Sequence, residues 1–171
     1  MYACNEIGTI EPLADLAAIC RERGVLFHTD AVQAASQLDL DVQRLKVDYL
    51  ALGAHKFYGP KGVGALYVRE GRSLLPTQTG GGHENGLRAG TPNVPYIAGL
   101  AEALTLTAAQ RTEHNARFTR LRDRLISGLL TAVPGSHRTG HASRRLPNHA
   151  SFVLAGVDRA LLAEGDGLHL L

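Results

Sequence analysis

At 171 residues the chain is long enough for one domain's core, and its 44% hydrophobic content and net charge of +2 are those of an ordinary globular protein. No apolar run reaches the length of a membrane span, and the N-terminus lacks a basic segment followed by an apolar one, so no membrane is expected and the cytoplasm is the expected location. Two cysteines are too few for a disulfide framework and lack zinc-ligand spacing, so no metal is assigned.

In chain order, a helix is predicted over residues 12–23. Pro12 suits its first turn, Leu13, Leu16, Ile19 and Cys20 follow helical spacing, and Gly24 suits the C-terminal cap. Cys20 is thereby assigned to the buried face as a core filler. Residues 25–30 read as a buried strand, apolar at Val25, Leu26 and Phe27, and a short helix is expected near 31–37. Strands follow at 47–53 and 63–69, then a loop over 71–93 whose GGGHENGLRAGTPN stretch permits positive φ and close backbone approach. A long helix, with room for an interruption, is expected over 94–132 and ends at Val133-Pro134-Gly135. Residues 135–149 read as an exposed loop before a strand at 150–154, a GVD turn and a further helix. The tail GDGLHLL does not continue that helical pattern. This alternation predicts an α/β fold with a mostly parallel sheet.

Lys56, in GAHKFYGPKG (53–62), is one of three lysines against fifteen arginines. Arginine cannot replace lysine where a neutral nucleophilic nitrogen is needed, because guanidinium stays protonated. Lys56 falls just past the carboxyl end of the strand 47–53, the edge of an α/β sheet where ligands bind. Asp30 ends the preceding strand, so parallel pairing would bring both residues to one edge. An amine for a Schiff base and a carboxylate for a pyridinium nitrogen are what a pyridoxal phosphate site requires. Asp30 alone fits the N-cap of the segment AVQAASQ equally well, and a lone loop lysine is more often solvated than functional.

Four stretches carry a resemblance: NEIG (5–8), HTDAVQ (28–33), GAHKFYGPKGVGALYVR (53–69) and GGGHENGLRAGTPN (80–93). In order and spacing they resemble the signatures of the cysteine desulfurases, fold-type I pyridoxal phosphate enzymes grouped with the class V aminotransferases. The resemblance runs to about Leu162 and covers less than half of a usual family chain. It implies that Lys56 holds the cofactor through a Schiff base and shuttles protons, and that Asp30 partners the pyridinium nitrogen. Gln33 and Asn5 would bond the phenolic oxygen, His55 would help bind the phosphate, and Thr91 would reach the phosphate of the other subunit. Where this chain has Gly53, the family usually has a serine, so a hydroxyl ligand to the phosphate is missing; the backbone N–H groups of Gly53 and Ala54 remain available as donors.

By the same resemblance, residues 1–93 form part of a cofactor-binding large domain, 94–133 a connecting helix, and 134–171 the start of a small α+β C-terminal domain. The chain is expected to be an internal or truncated fragment, inactive alone. It lacks the phosphate-binding loop and ring-stacking histidine that precede these motifs, and the mobile cysteine loop and carboxylate-binding arginine that follow them. Cys4, beside Asn5, does not match the family nucleophile. The implied reaction converts L-cysteine to L-alanine and passes sulfur to an acceptor or iron–sulfur scaffold protein, in a homodimer or with a complementing chain. Selenocysteine lyase and cysteine lyase activities, or a non-catalytic remnant or scaffold, are the alternatives. Eight arginines between Arg111 and Arg145, with Arg117, Arg120 and Arg124 on one helix face, raise the rival of a nucleic-acid surface. Without interleaved aromatics a solvated face explains them better.

Overall fold

Helix α1 spans Leu13–Glu22 and turns its small face inward, burying Leu13 and Ala17. It ends in a Schellman motif: Gly24 takes φ +66° and donates to the Arg21 carbonyl, and Val25 N–H donates to the Cys20 carbonyl at 2.8 Å. Because Val25 is spent on that cap, strand β1 begins later than its apolar run predicts, at His28–Asp30. Val25 and Leu26 are 55% and 53% exposed, so the buried strand expected from residue 25 is corrected to a short one. Leu16 and Ile19 are likewise exposed and Cys20 is half-buried, which corrects its placement as a core filler. In this computed structural model, residues 1–157 are described.

The helix expected near 31–37 is instead a run of turns. Alanine favours helix, but here Ala31, Ala34 and Ala35 are each fully buried, and their lack of side-chain bulk lets the turns lie directly on the sheet. Ala31 and Ala34 join one core with Leu13, Leu45, Val47 and Leu50. Ala35 joins a second with Ala54, Phe57 and Leu100. A single-turn helix α2, Val42–Leu45, follows, capped by Asp41, whose carboxylate accepts from the Gln43 and Arg44 N–H groups.

Strand β2, Tyr49–Gly53, lies between β1 and β3, Gly64–Val68. It runs parallel to β1, with Asp30 opposite Ala51, and antiparallel to β3, with Gly53 opposite Gly64. The α/β class stands, while the described sheet is mixed. The link from β2 to β3 through residues 54–63 is too short for the crossover that parallel pairing needs. Asp48 ties the three strands together. Its carboxylate accepts from Phe27 N–H at 2.9 Å and from Arg72 Nε at 2.7 Å, and its backbone carbonyl accepts from Arg69 N–H.

Helix α3 runs uninterrupted over Val94–Ala132, 39 residues, with the Asn93 side chain accepting from Tyr96 N–H and proline in its first turn. Arg117, Arg120 and Arg124 are exposed along it, and Arg122 pairs with Asp123. No helix among the described residues is long and apolar enough to cross a membrane. Beyond α3, the expected loop contains strand β4, Ser136–Arg138, paired antiparallel with β5, Phe152–Leu154. The helix expected after Gly156-Val157-Asp158 and the tail GDGLHLL lie outside the described residues.

Candidate functional site at the strand ends

Parallel register carries the carboxyl ends of β1 and β2 to one edge. Asp30 stands opposite Ala51, and the Ala31 N–H donates to the Ala51 carbonyl at 3.0 Å. Asp30 Oδ1 accepts from Val32 N–H at 2.8 Å in an Asx turn, the capping role that the residues alone left open. That bond fixes one carboxylate oxygen, and the residue remains exposed. Gln33, half-buried, follows in the same turn.

Beyond β2 the chain tightens into a 3₁₀ turn, Ala54–Lys56, which displays His55 and Lys56 to solvent and buries Gly53 and Ala54 beneath them. The two strand ends touch: a Cβ on Gly53 would lie 3.2 Å from His55 Cε1 and 3.5 Å from Val32 Cγ1. The absent Gly53 side chain is therefore a shallow recess walled by the His55 ring and the Asp30 turn. Phe57, wholly buried, pins the lysine turn against α3 through Leu100, Ala103 and Leu104. Tyr58 then adopts φ +68°, a costly conformation for a bulky residue, and is 82% exposed. This strain follows from the geometry around it, because Phe57 points inward while Gly59 N–H returns to the Ala54 carbonyl at 2.9 Å.

Asn5 belongs to a segment anchored at this strand end. The N-terminal segment forms a hairpin with Ala3 bridged to Ile10, and its base is fixed to β1 by the Tyr2 N–H donating to the Asp30 carbonyl at 2.7 Å. Asn5 lies exposed on the hairpin's turn, and Cys4 beside it is half-buried. Thr91 is exposed two residues before the Asn93 cap of α3 and takes no part in the contacts at the strand ends.

The site is an open edge rather than a cleft. Two depressions lie elsewhere: a groove of ≈ 380 Å³ between Tyr58 and α3, lined by Gly99, Leu106 and His114, and a smaller hollow near Arg21 and Arg72. The donors at the edge nonetheless suit a phosphorylated pyridine aldehyde: an exposed amine, a carboxylate with one oxygen uncommitted, buried glycine and alanine at a turn, and an imidazole over them. Several residues that shape this edge were not singled out in the sequence. Phe57 is signalled there only as one apolar residue beside Lys56. Arg145 and His149, which bond the carbonyls of Ile7 and Asn5 in the N-terminal hairpin, carry no signal at all, since their partners are backbone oxygens.

Compared with known proteins, residues 1–165 match the family described as aminotransferase class-V. A cysteine desulfurase IscS of Clostridium botulinum is 45% identical over 160 residues, covering 92% of this chain and 40% of the relative. A cysteine desulfurase IscS of Methanosarcina thermophila is 45% identical over 171 residues, covering 100% of this chain and 41% of the relative. Among solved structures, a NifS-like protein superposes with a TM-score of 0.89 at 39% identity, over 95% of this chain and 44% of its own. The chain thus spans about 40% of the length of the curated relatives it matches.

Proposed function

This chain belongs to the class-V aminotransferase family, and from that premise we propose that it supplies the lysine-bearing part of a pyridoxal phosphate-dependent cysteine desulfurase. The observation that carries the reading is the parallel register of β1 and β2, which sets Asp30 and the Lys56 turn at one sheet edge. When bound, pyridoxal phosphate would supply an electron sink for bonds at the substrate's α-carbon. Lys56 Nζ would hold the cofactor aldehyde and, once displaced by the amino group of L-cysteine, carry a proton to and from the α-carbon. Asp30 would keep the ring nitrogen protonated through the oxygen that Val32 leaves free. His55 and the Gly53 N–H would hold the phosphate, and Asn5 and Gln33 the phenolic oxygen; the Ala54 N–H, expected from the sequence to be available, instead donates to the Val63 carbonyl at 3.1 Å. Thr91 would serve the phosphate of a second subunit.

The proposed products are L-alanine and a sulfur atom passed to a cysteine thiolate, then to an acceptor or iron–sulfur scaffold protein in the cytoplasm. Neither Cys4 nor Cys20 is proposed as that thiolate. The proposed domain division is residues 1–93 for cofactor binding, 94–133 for the connecting helix and residues from 134 onward for the small domain. The exposed Leu16, Ile19, Val25 and Leu26 support a partner, a second copy or a complementing chain, over this face.

The test is spectroscopic. Protein mixed with pyridoxal phosphate should gain a visible absorbance band, and borohydride reduction followed by peptide mapping should place the modification on Lys56 rather than Lys46 or Lys61. Lys56→Ala should stay colourless. A modification spread evenly over the three lysines would overturn the reading.

A further inference from the structure

Arg145 is 3% exposed and, among the described residues, pairs with no carboxylate; its guanidinium donates to backbone carbonyls. It donates to the Ile7 carbonyl at 3.0 Å, to His141 at 3.3 Å, to His149 at 3.4 Å, and to Thr139. Burial first, then Arg138 and Arg122, pull its pKa below the ordinary value. A buried cation satisfied only by main-chain oxygens fixes the backbone that supplies them. Here that backbone belongs to two segments far apart in sequence, the hairpin turn at 5–8 and the stretch 139–149.

The same two segments meet at further points. Leu146 N–H donates to the Gly8 carbonyl at 2.8 Å, Ile10 N–H to the Arg144 carbonyl at 2.9 Å, and His141 N–H to Thr9 Oγ1 at 3.0 Å. His149 Nε2 lies 2.8 Å from the Asn5 carbonyl oxygen, so Nε2 carries the proton and donates. The His149 ring rests on Gly8, where a Cβ would come within 2.6 Å of it, and a Cβ on Gly140 would come within 2.3 Å of the Ile7 carbonyl. Both glycines have positive φ, +71° and +73°, so the joint admits no side chain at either position.

We infer that Arg145 and His149 are positioning residues that hold the main chain of Asn5, coupling the segment beyond α3 to the group that contacts the cofactor's phenolic oxygen. The inference rests on the proposed role of Asn5. His149 grips the carbonyl of Asn5 itself, Arg145 grips Ile7 two residues later, and no described residue hydrogen-bonds the Asn5 side-chain amide, which is left free for a ligand. The opposite end of the hairpin is tied to Asp30 through Tyr2. Asn5 is thus suspended between the cofactor edge of the sheet and the β4–β5 unit.

The experiment uses the full chain in two measurements. In cofactor-free protein, His149→Ala and Arg145→Met should speed amide hydrogen exchange at Gly8 and Leu146 by about tenfold while leaving Ala51 and Leu52 unchanged. No change at Gly8 or Leu146 overturns the inference, and His149→Ala serves if Arg145→Met fails to fold. In cofactor-loaded protein, the pH midpoint of the visible band reports the hydrogen bond to the phenolic oxygen. Asn5→Ala should move that midpoint by about half a unit or more, and His149→Ala should move it the same way. The double variant should move it no further than Asn5→Ala alone, and His149→Gln, which keeps a donor, should restore it. If Asn5→Ala moves the midpoint and His149→Ala does not, or if the two shifts add, positioning is refuted while the role of Asn5 survives. If Asn5→Ala moves nothing, the proposed role of Asn5 fails, and the coupling to the cofactor falls with it.

Discussion

Replacing Gly53 by serine isolates one missing contact. The backbone there has φ −129° and ψ 117°, which any residue adopts, so the substitution carries no conformational penalty. The added Cβ would sit 3.2 Å from His55 Cε1 and 3.5 Å from Val32 Cγ1, which requires the imidazole to yield by a few tenths of an ångström at an exposed position. Losing glycine's freedom in the unfolded chain should stabilise the protein by about 0.4–1 kcal/mol. A serine hydroxyl donating to a phosphate oxygen is a charge-assisted bond worth about 1.5–3 kcal/mol, and half of that is reasonable at an open edge. Pyridoxal phosphate should therefore bind about tenfold more tightly, about 1.4 kcal/mol, when its visible band is followed by titration. The control is the melting temperature of cofactor-free protein, which should rise slightly. A variant that melts higher but binds the cofactor no better would refute the placement of Gly53 at the phosphate.

Two further substitutions test how the lysine turn and the opposite end of the sheet are supported. Phe57→Ala removes a wholly buried ring behind the lysine turn and should cost about 3–5 kcal/mol in urea unfolding, with loss of cofactor retention in parallel; stable protein that still traps cofactor on Lys56 would show that the turn holds itself. Asp48→Asn should cost about 2 kcal/mol at pH 7. Burial raises the Asp48 pKa, but the Phe27 N–H, the Arg72 bond and charge, and Arg69 outweigh it and hold the carboxyl below its ordinary value. A depressed carboxyl stabilises above the unfolded pKa of about 4 and loses that stabilisation as pH falls through the folded value. The gap between wild type and Asp48→Asn should accordingly close in urea titrations below about pH 4, and a gap independent of pH would contradict the ion-pair account.

Contiguous patterns were legible. Tyr49–Gly53 and Gly64–Val68 show as strands because their apolar residues are contiguous, and Val94–Ala132 shows as a helix that a Pro-Gly pair ends. The placement of Asp30 and Lys56 at one edge was legible for the same reason, since each ends a readable strand. Misreadings arose where tertiary contacts overrode local preference. The alanines of 31–35 favour helix locally, yet their use is to vanish under a sheet. Val25 suits a strand by its side chain, yet its N–H serves the helix before it. Ser136–Arg138 has no apolar alternation and is a strand only through its pairing with Phe152–Leu154. The bond from His149 to Asn5 joins residues 144 positions apart through a main-chain oxygen, and no side-chain pattern encodes that.

Helix α3 turns this arrangement into a lever. It is fastened near one end where Leu100, Ala103 and Leu104 hold the lysine turn, and again farther along where Arg122 Nη1 donates to the Leu146 carbonyl. From Thr107 to Ala132 the rod extends about 38 Å, so a tilt of about 2° at the lysine end sweeps the far end through roughly 1 Å. Arg122 grips the carbonyl of Leu146 while the Leu146 N–H donates to Gly8, so one helix is bonded both to the lysine turn and, through Leu146, to the hairpin that carries Asn5.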